Sequence, residues 1–509
     1  MKEQVLIGVD IGTTSIKAVA FTPSGQAVKK VAVPTPTHYP QANWAHYEPG
    51  EVWDAISSGL RDLMNGLPEQ CEPAGVAFAS MAEAAVPVTK KGEACYPAIA
   101  WFDNRTQAQA DWWRKEIGEG QTAEITGLPV NPIFGALKLS WLKQNEPAIF
   151  THIDAWLNMA DYAVFKLTGV QATDYSLASR TLLFDIKQKA WSERLLSAAG
   201  LPIDIFAEAV PSGLKVGEVN ARASKETGLP EGLPVVSGGH DHVCAALALS
   251  IVESGTIFDS IGTAESLFMS VDEPRLGPAI TSRGIAHGVH VAPDRYYAMS
   301  GLGYSGGTID WARQTVLSTF TSSEEAFNKL IRLAEAIPAG SEGVYFLPQL
   351  RQANPPQLNP SAKAAFLGLR SHHTAGHLLR AVIEGVAYAY QYALDNMLDA
   401  FALEPKRIVA TGGGTQNALL ITIKNDLFGQ PLFIADNIEA TCLGAAMLAG
   451  IGAGVYESFQ DAGDRVTMHL HERMPTMDMH HFYRERFERV HLNLYGALAD
   501  VHKLIDDQS

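Results

Sequence analysis

Two short glycine-threonine turns, one near the start of the chain and one near its middle, constrain the fold most. The first reads DIGTT at residues 10–14 and the second SIGTA at residues 260–264, and each follows an apolar run typical of a strand. Glycine lets the backbone turn where a side chain would clash, and a threonine adds a hydroxyl beside exposed N–H groups, so such turns can hold phosphate oxygens. The pair predicts a nucleotide held between two domains.

The offset between the turns indicates a duplicated domain. It is about 250 residues, or about half of the chain, and the same strand-turn-strand pattern begins at both positions. The 509 residues also exceed what one hydrophobic core supports, because single cores stop growing near ~250 to 300 residues. We therefore predict two domains, residues 1–250 and residues 251–509.

Charge and cysteine content narrow the expected partners. The 55 acidic residues outnumber the 39 basic ones and give a formal net charge of -16, which opposes non-specific attraction to nucleic acid or an anionic membrane. The four cysteines lie far apart and form neither a zinc nor a disulfide pattern. The start of the chain has no leader pattern, and no apolar run reaches the ~18 residues of a membrane span. We expect a cytoplasmic protein that binds neither nucleic acid nor membrane.

Hydrophobic periodicity predicts an α/β fold. The chain from Val5 to about residue 33 reads as a three-stranded meander with turn residues in both gaps. Helical spacing of apolar residues follows at residues 52–63 and again at residues 377–400. A small-residue helix is predicted at residues 442–454, and the tail beyond Gly463 carries no motif.

Asp10 is the candidate metal ligand. It ends the first strand, where its carboxylate could hold Mg²⁺ or its waters while Thr13 and Thr14 meet phosphates and Lys17 adds a positive charge. The alternative is an aspartate that stabilises a tight hairpin through its side chain.

Asp241 is the candidate catalytic base. It lies between two glycines and a helix of small residues, a suitable place for a carboxylate that takes a hydroxyl proton during phosphoryl transfer. The alternative is a helix N-cap. His240 and His242 flank it without a clear third ligand at metal spacing, which disfavours a transition-metal site.

Residues 301–306 match the GxGxxG pattern of dinucleotide-binding folds, after a strand-like run and before a helix. The first acidic residues downstream, Glu324 and Glu325, fall in a polar stretch rather than at a strand end. We interpret these glycines, Gly306 among them, as sites of close backbone approach near a nucleotide.

A third glycine loop, Gly412-Gly413-Gly414, follows another strand-like run. Asn417 is placed to hydrogen-bond a base or ribose.

Polar residues in the first half are candidates for a hydroxyl-rich substrate. They are Glu83, after a strand-like run, and Trp101, Asp103 and Arg105 in the stretch WFDNR. The alternatives are a solvated loop residue for Glu83 and, for Asp103 with Arg105, a local ion pair worth less than ~1 kcal/mol.

Taken in order, these motifs resemble the FGGY family of carbohydrate kinases, within the actin, hexokinase and Hsp70 superfamily. The match runs from DIGTT through WFDNR, Lys138, TDYSLASRT at residues 173–181, GGHD and TGGGTQN to Gly450. The chain also meets one family pattern in full, with Ala364, Phe366, Gly368, Leu369, His377, Leu378, Ala381, Val382, Ile383 and Glu384.

The resemblance implies two ribonuclease H-like (actin-like ATPase) domains that flank a central cleft, and transfer of the γ-phosphate of Mg-ATP to a sugar or polyol hydroxyl. It makes Asp241 the base and Asp10 the residue that supports the metal. With the reasoning above, the predicted ATP site comprises Thr13, Thr14, Lys17, Gly262, Thr263, Gly306, Gly413, Gly414 and Asn417. The predicted substrate site comprises Met81, Glu83, Trp101, Asp103, Asp241 and His242, although the residue types of Met81 and Trp44 favour packing roles.

Departures from the family's subgroups bear on the substrate. Glycerol kinases carry an arginine where this chain has Ala82 and a tyrosine where it has Ile133, so glycerol is disfavoured. Only Met81 remains of the Gln-Met-His of typical xylulose kinases, and residues 352–354 depart from a Gly-Glu-Arg stretch of many members. A ketopentose such as xylulose is the first expectation.

Other functions stay open at this point. They are a kinase for another ketose, an aldonate or a polyol, a non-catalytic nucleotide-binding regulator, and an oxidoreductase that binds a dinucleotide. A sugar and ATP are the expected partners, with a homodimer as an open option.

Overall fold

The computed structural model describes residues 2–316, 324–351, 353–435, 439–466 and 468–507. Gln352, which the sequence singled out as a departure from the family, lies outside these residues.

A six-stranded sheet is the centre of the first half of the chain. The strands of this half are β1 (Glu3–Ile11), β2 (Ser15–Phe21), β3 (Ala27–Pro34), β4 (His46–Tyr47), β5 (Cys71–Ser80), β6 (Ala85–Val88), β7 (Ala98–Ile99), β8 (Ala155–Asn158), β9 (Ala172–Asp174), β10 (Phe184–Asp185), β11 (Ala190–Trp191), β12 (Glu208–Val210), β13 (Lys215–Glu218) and β14 (Pro234–His240). The sheet has the order β13-β14-β5-β1-β2-β3. Its central strand β1 is antiparallel to β2 and parallel to β5.

The described residues of the first half form ten α-helices, some of which pack on this sheet and some in a separate core. They are α1 (Pro49–Asn65), α2 (Gln107–Glu116), α3 (Glu119–Thr126), α4 (Gly135–Asn145), α5 (Pro147–Phe150), α6 (Met159–Thr168), α7 (Tyr175–Ala178), α8 (Glu193–Ala199), α9 (Ala221–Thr227) and α10 (Asp241–Ala248). The predicted helix at residues 52–63 is α1, and its residues Val52, Ile56, Leu60 and Leu63 are buried together against the sheet.

A seven-stranded sheet is the centre of the second half. The strands here are β15 (Thr256–Ile261), β16 (Glu265–Val271), β17 (Ala286–Val289), β18 (Tyr296–Leu302), β19 (Tyr345–Leu347), β20 (Ala365–Leu367), β21 (Arg407–Thr411), β22 (Leu432–Ala435) and β23 (Leu470–Arg473). The helices are α11 (Pro278–Thr281), α12 (Gly306–Trp311), α13 (Glu324–Glu335), α14 (Ala375–Phe401), α15 (Ala418–Phe428), α16 (Ala440–Gly452), α17 (Phe459–Arg465), α18 (Met477–Arg486) and α19 (Leu492–Asp506). The sheet has the order β17-β18-β16-β15-β21-β22-β23.

Both sheets contain the same five-strand unit, which confirms the predicted duplication. In the first, β3-β2-β1 form an antiparallel meander, and β5 and β14 extend β1 in parallel. In the second, β18, β16 and β15 form the meander, and β21 and β22 extend it in parallel. Each glycine-threonine turn is therefore the hairpin turn that joins the first two strands of its unit.

Helices α10 and α16 join the two halves. The second-half helix α16 packs on the first sheet so closely that a Cβ on Gly8 would lie 1.8 Å from the Cys442 carbonyl oxygen. The same helix meets α10 at Gly444, where a Cβ would lie 1.9 Å from the Cys244 carbonyl oxygen. The strands divide near Ser250, as the predicted boundary requires, but this crossing helix belongs to neither half alone, and the two-domain division stays a prediction.

The tail that the sequence left without a motif contains strand β23 and helices α18 and α19, and it is partly buried. Tyr483 on α18 and the following Phe487 belong to the main core of the second half. Within the described ranges, no helix is both long and apolar enough to cross a membrane. The cytoplasmic location and the homodimer remain predictions.

Candidate active site

The first glycine-threonine loop presents its hydroxyls at an open edge. The Gly12 N–H donates to the Ser15 carbonyl oxygen over 3.2 Å, which closes the turn, and Thr35 Oγ1 donates to the Gly12 carbonyl oxygen over 2.7 Å. Thr14 is exposed, and Thr13 Oγ1 accepts a hydrogen bond from Trp101 Nε1 over 2.9 Å. Trp101, which was predicted to bind the substrate, thus contacts the loop that was predicted to bind phosphate.

The second loop is hydrogen-bonded to the glycine-rich segment at residues 301–306. The Gly306 N–H donates to the Gly262 carbonyl oxygen over 3.1 Å, and the Ser305 N–H donates to the Thr263 carbonyl oxygen over 2.8 Å. A Cβ on Gly306 would lie 2.5 Å from the Gly262 carbonyl oxygen, so this approach requires glycine. Thr263 is exposed beside it.

The dinucleotide alternative for residues 301–306 is wrong. These glycines follow β18, which is antiparallel to both β16 and β17, whereas a dinucleotide fold needs this segment within a parallel βαβ unit. Close backbone approach, the interpretation preferred from the sequence, is present.

The third glycine loop packs on the second. A Cβ on Gly414 would lie 2.1 Å from Ile261 Cγ2, whereas Gly413 is exposed with open space around it. Asn417 Oδ1 accepts a hydrogen bond from the Leu420 N–H over 3.1 Å and caps α15. Contact of Asn417 with a base or ribose stays a prediction.

Asp10 lies at the end of β1 with an unpartnered carboxylate oxygen. Its Oδ1 is buried and has no hydrogen-bond partner among the described residues. Burial, and after it the nearby Asp241 carboxylate, raise the pKa of Asp10 to about 7, although Lys17 opposes the shift. Two neighbouring carboxylates, one of them with a free oxygen, are donors that a hard divalent cation prefers, so the residues present fit Mg²⁺.

Asp241 is the first residue of α10, and its Oδ1 lies between two imidazoles. The distances from this oxygen are 2.9 Å to His242 Nδ1 and 3.0 Å to His240 Nε2. Burial alone would raise the pKa of Asp241, but the two histidines outweigh it and hold the pKa below its ordinary value. The carboxylate is therefore ionised at neutral pH and able to accept a proton or a hydrogen bond.

One sequence-based alternative at Asp241 is corrected by this geometry. His240 occupies the N-cap position and Asp241 lies inside the first turn, so Asp241 is not the cap. The ligand atoms of His240, Asp241 and His242 lie within 4.8 Å of one another. Both imidazoles face the same carboxylate oxygen, which suits a hydrogen-bonded carboxylate. Burial would lower the pKa of His242, and Asp241 outweighs this effect and raises it.

Lys17 is engaged by an acidic residue of the second half. Its Nζ lies 2.8 Å from Glu439 Oε2, and Lys30 binds the other oxygen of the same carboxylate. The ammonium has further N–H donors, and the predicted phosphate contact of Lys17 stays a prediction.

Glu83 is buried in an ion pair, so the solvated-loop alternative is wrong. Arg180 donates to Glu83 Oε1 through Nε over 2.6 Å, and both side chains are less than one tenth exposed. The backbone of Glu83 has a φ of 64°, a conformation that is uncommon for a residue with a side chain and that often marks a functional position.

Lys138 fixes the backbone beside Glu83. Its fully buried Nζ donates to the carbonyl oxygens of Glu83, Ile99 and Ala100, and burial lowers the pKa of Lys138 to about 7. Sequence reasoning assigned no role to Lys138 or Arg180. Arg180 lies 97 residues from Glu83, and a single arginine has no spacing signal.

Asp103 has protein partners for both of its oxygens. Arg105 binds it in a bidentate manner, and Asp103 Oδ2 also accepts a hydrogen bond from the Ala45 N–H over 2.6 Å. The side chains of Asp103 and Arg105 are 0% and 2% exposed, so the predicted surface pair is instead a buried one. The Arg105 guanidinium lies 3.9 Å from the ring centroid of Trp44. Direct contact of Asp103 with a substrate stays a prediction.

Met81 is buried, as a packing residue should be, and its N–H donates to the Ile11 carbonyl oxygen at the end of β1. Its place in the substrate site stays a prediction.

A duplicated ribonuclease H-like fold with a glycine-threonine loop on each sheet, and with Asp10 and Asp241 at the ends of strands β1 and β14, defines a class of phosphoryl-transfer enzymes. Family models match both halves. The N-terminal domain of the FGGY family of carbohydrate kinases matches residues 5–248, and its C-terminal domain matches residues 259–453. The chain belongs to this family and is an ATP-dependent carbohydrate kinase.

Proteins with similar sequences and structures match almost the full length of the chain. A xylulose kinase of Bacillus subtilis is 27% identical over 499 residues, which cover 98% of each chain. A gluconokinase of Bacillus licheniformis is 26% identical over 510 residues, which cover 98% of this chain and 97% of the relative. The crystal structure of a xylulose kinase from Rhodospirillum rubrum has a TM-score of 0.90 at 28% identity and covers 98% of this chain and 100% of that one.

Proposed function

We propose that the protein transfers the γ-phosphate of Mg-ATP to a hydroxyl group of a ketopentose such as xylulose, with Asp241 as the base. The observation that carries the proposal is the Asp241 carboxylate, held ionised and partly exposed at the start of α10, close to the unpartnered Asp10. The xylulose kinases among the similar proteins support the choice of sugar.

Each step of the transfer has a candidate group. Bound Mg²⁺ would supply positive charge to the phosphate oxygens, and Asp10 would hold the ion or its waters. Asp241 orients the sugar hydroxyl and takes its proton as the oxygen bonds to the γ-phosphorus. The bond from that phosphorus to the bridging oxygen breaks, and ADP leaves. A carboxylate with a low pKa suffices, because positioning and charge stabilisation provide most of the catalysis in phosphoryl transfer.

The charges around Asp241 support a neutral sugar over an aldonate. Arg180 already faces the carboxylate of Glu83, and Asp241 lies against His242 and raises the pKa of this imidazole. Both members of the Glu83–Arg180 pair lie close enough to His242 to influence its pKa, so this pair is part of the same site. An aldonate would bring another carboxylate to a site whose nearby cations are engaged.

Turnover on a panel of sugars tests the substrate. We expect kcat/KM for a ketopentose to be at least ~10-fold that for gluconate, because an unpaired buried carboxylate costs more than the ~1.4 kcal/mol that corresponds to this ratio. ADP release would be measured with ketopentoses, ketohexoses, aldonates and polyols. A clear preference for gluconate would contradict the ketopentose assignment.

Asp10→Asn tests the proposed metal ligand. The amide removes the negative charge, so we expect the Mg²⁺ concentration for half-maximal rate to rise at least ~10-fold, while the Kd for the sugar without nucleotide changes little. Titration of Mg²⁺ at saturating ATP, together with calorimetry for the sugar, would measure both. An unchanged Mg²⁺ requirement would remove Asp10 from this role.

Closure of the two halves is a further expected result. Kinases exclude water from the transferred phosphoryl group, so we expect a smaller radius of gyration when a non-hydrolysable ATP analogue and the sugar are both bound. Small-angle X-ray scattering with each ligand alone serves as the control. Identical scattering in all states would argue against closure.

A further inference from the structure

A fully buried cluster of charged side chains lies beneath the second glycine-threonine loop. Lys424 on α15 donates from Nζ to Asp259 on β15 and to Glu265 on β16, and all three side chains are 0% exposed. Burying charged groups costs several kcal/mol for each ion, so such a cluster is weak evidence for stability. Its position among the glycine loops indicates a role other than stability.

The cluster connects the three glycine loops of the second half, at residues 260–264, 301–306 and 412–414. Asp259 comes just before the loop at residues 260–264 and Glu265 just after it, so Lys424 joins the two ends of this loop. Glu265 Oε2 also accepts a hydrogen bond from Ser305 Oγ over 2.5 Å, next to Gly306. Lys424 itself belongs to α15, the helix that begins directly after the third loop.

Electrostatics keep the Lys424 ammonium charged and fixed. Burial would lower the pKa of Lys424, but Asp259 and Glu265 outweigh this effect and raise it. The ammonium also lies 3.5 Å from the ring centroid of Tyr390 on α14, a cation–π geometry. Burial raises the pKa of Asp259 well above its ordinary value, and the Lys424 ammonium beside it opposes this shift.

We propose that Lys424, Asp259 and Glu265 form a positioning cluster that holds the three glycine loops at the separation ATP requires. The inference rests on the proposed ATP site. These side chains are fully buried, so the cluster acts through the loops and does not touch the nucleotide. The sugar-side residues Glu83 and Asp241 lie in the first half of the chain. Loss of the cluster should therefore weaken ATP use and leave sugar binding intact.

Two variants test the cluster. Lys424→Met removes the ammonium, and the milder Ser305→Ala removes only the link between Glu265 and the Gly306 segment. We expect KM for ATP to rise at least ~10-fold in the first and about threefold in the second, because small misplacements of binding groups have effects of this order. KM for the sugar should stay within ~2-fold. If Lys424→Met does not fold, Ser305→Ala decides, and an unchanged KM for ATP in that variant overturns the proposal.

A second buried ion pair of the same half provides the matched control. Arg380 and Glu384 lie on α14 with side chains 9% and 3% exposed, and their partners belong to other segments than the glycine loops. Arg380→Met should lower the melting temperature without the rise in KM for ATP. An equal rise in this control would show that lost stability explains the result, and would overturn the positioning role.

Gly306→Ala separates failure of the cluster from failure of the ATP site. Its Cβ would meet the Gly262 carbonyl oxygen directly, so KM for ATP should rise if the loops bind ATP. A rise here with no change in Lys424→Met and Ser305→Ala overturns the cluster and leaves the ATP site standing. No change in Gly306→Ala overturns the ATP site and, with it, this inference.

Discussion

Asp241→Asn is expected to lower kcat for sugar phosphorylation by at least ~100-fold, the usual scale for a lost acid–base group. The amide is similar in size and can still bond to one imidazole, but it cannot take the hydroxyl proton. The Kd for ATP should stay within ~2-fold, because the glycine loops are untouched. Single-turnover phosphate transfer and calorimetry with an ATP analogue would measure the two effects.

The control for this variant is His242→Gln, which removes one neighbour of Asp241 and keeps the carboxylate. We expect a smaller loss of kcat and a higher apparent pKa on the acidic side of the pH–rate profile, since His242 helps to hold the pKa of Asp241 low. Near-normal kcat in Asp241→Asn would remove Asp241 from the base role.

Arg180→Met is expected to lower the free energy of unfolding by about 3 kcal/mol and kcat/KM for the sugar by at least ~100-fold. The loss of stability follows because the buried Glu83 carboxylate loses its partner. The loss of activity follows if this pair orients the substrate. Chemical denaturation and steady-state kinetics would measure the two losses.

The double variant Glu83→Gln/Arg180→Met separates the two effects. With both charges removed, most of the stability should return, because no unpaired buried charge remains. Activity should stay low if the pair binds the sugar. Recovery of both stability and activity would show that the pair is structural only, and would remove Glu83 from the substrate site.

The sequence sufficed for the parts of the fold that depend on local signals. The glycine-threonine turns are the first hairpins of two matching sheets, and the apolar spacing at residues 377–400 corresponds to α14, Ala375–Phe401. Such features depend on neighbouring residues, so periodicity and turn chemistry reveal them. The role proposed for Asp241 came from its place between a glycine loop and a helix.

The contacts between distant segments could not be predicted in the same way. The Glu83–Arg180 pair joins residues 97 positions apart, and the Lys424–Asp259 contact joins residues 165 positions apart. Asp103 and Arg105 suggested an exposed pair, because the sequence does not show that Trp44 and the Ala45 backbone cover them. The strength of each ion pair depends on its burial. Burial results from the packing of distant segments, which the sequence does not show.

The contact between α10 and α16 has a consequence for how the enzyme opens and closes. The backbones of the two helices approach closely at Gly444, where a Cβ would lie 1.9 Å from the Cys244 carbonyl oxygen, and buried side chains of both helices share one core. Asp241 begins one of these two helices, so it would move little if the halves turned about this contact. We expect the cleft to admit and release ligands while the carboxylate that receives the proton stays almost still. A larger residue at position 444 would push these two helices apart, because its Cβ would meet the Cys244 carbonyl oxygen.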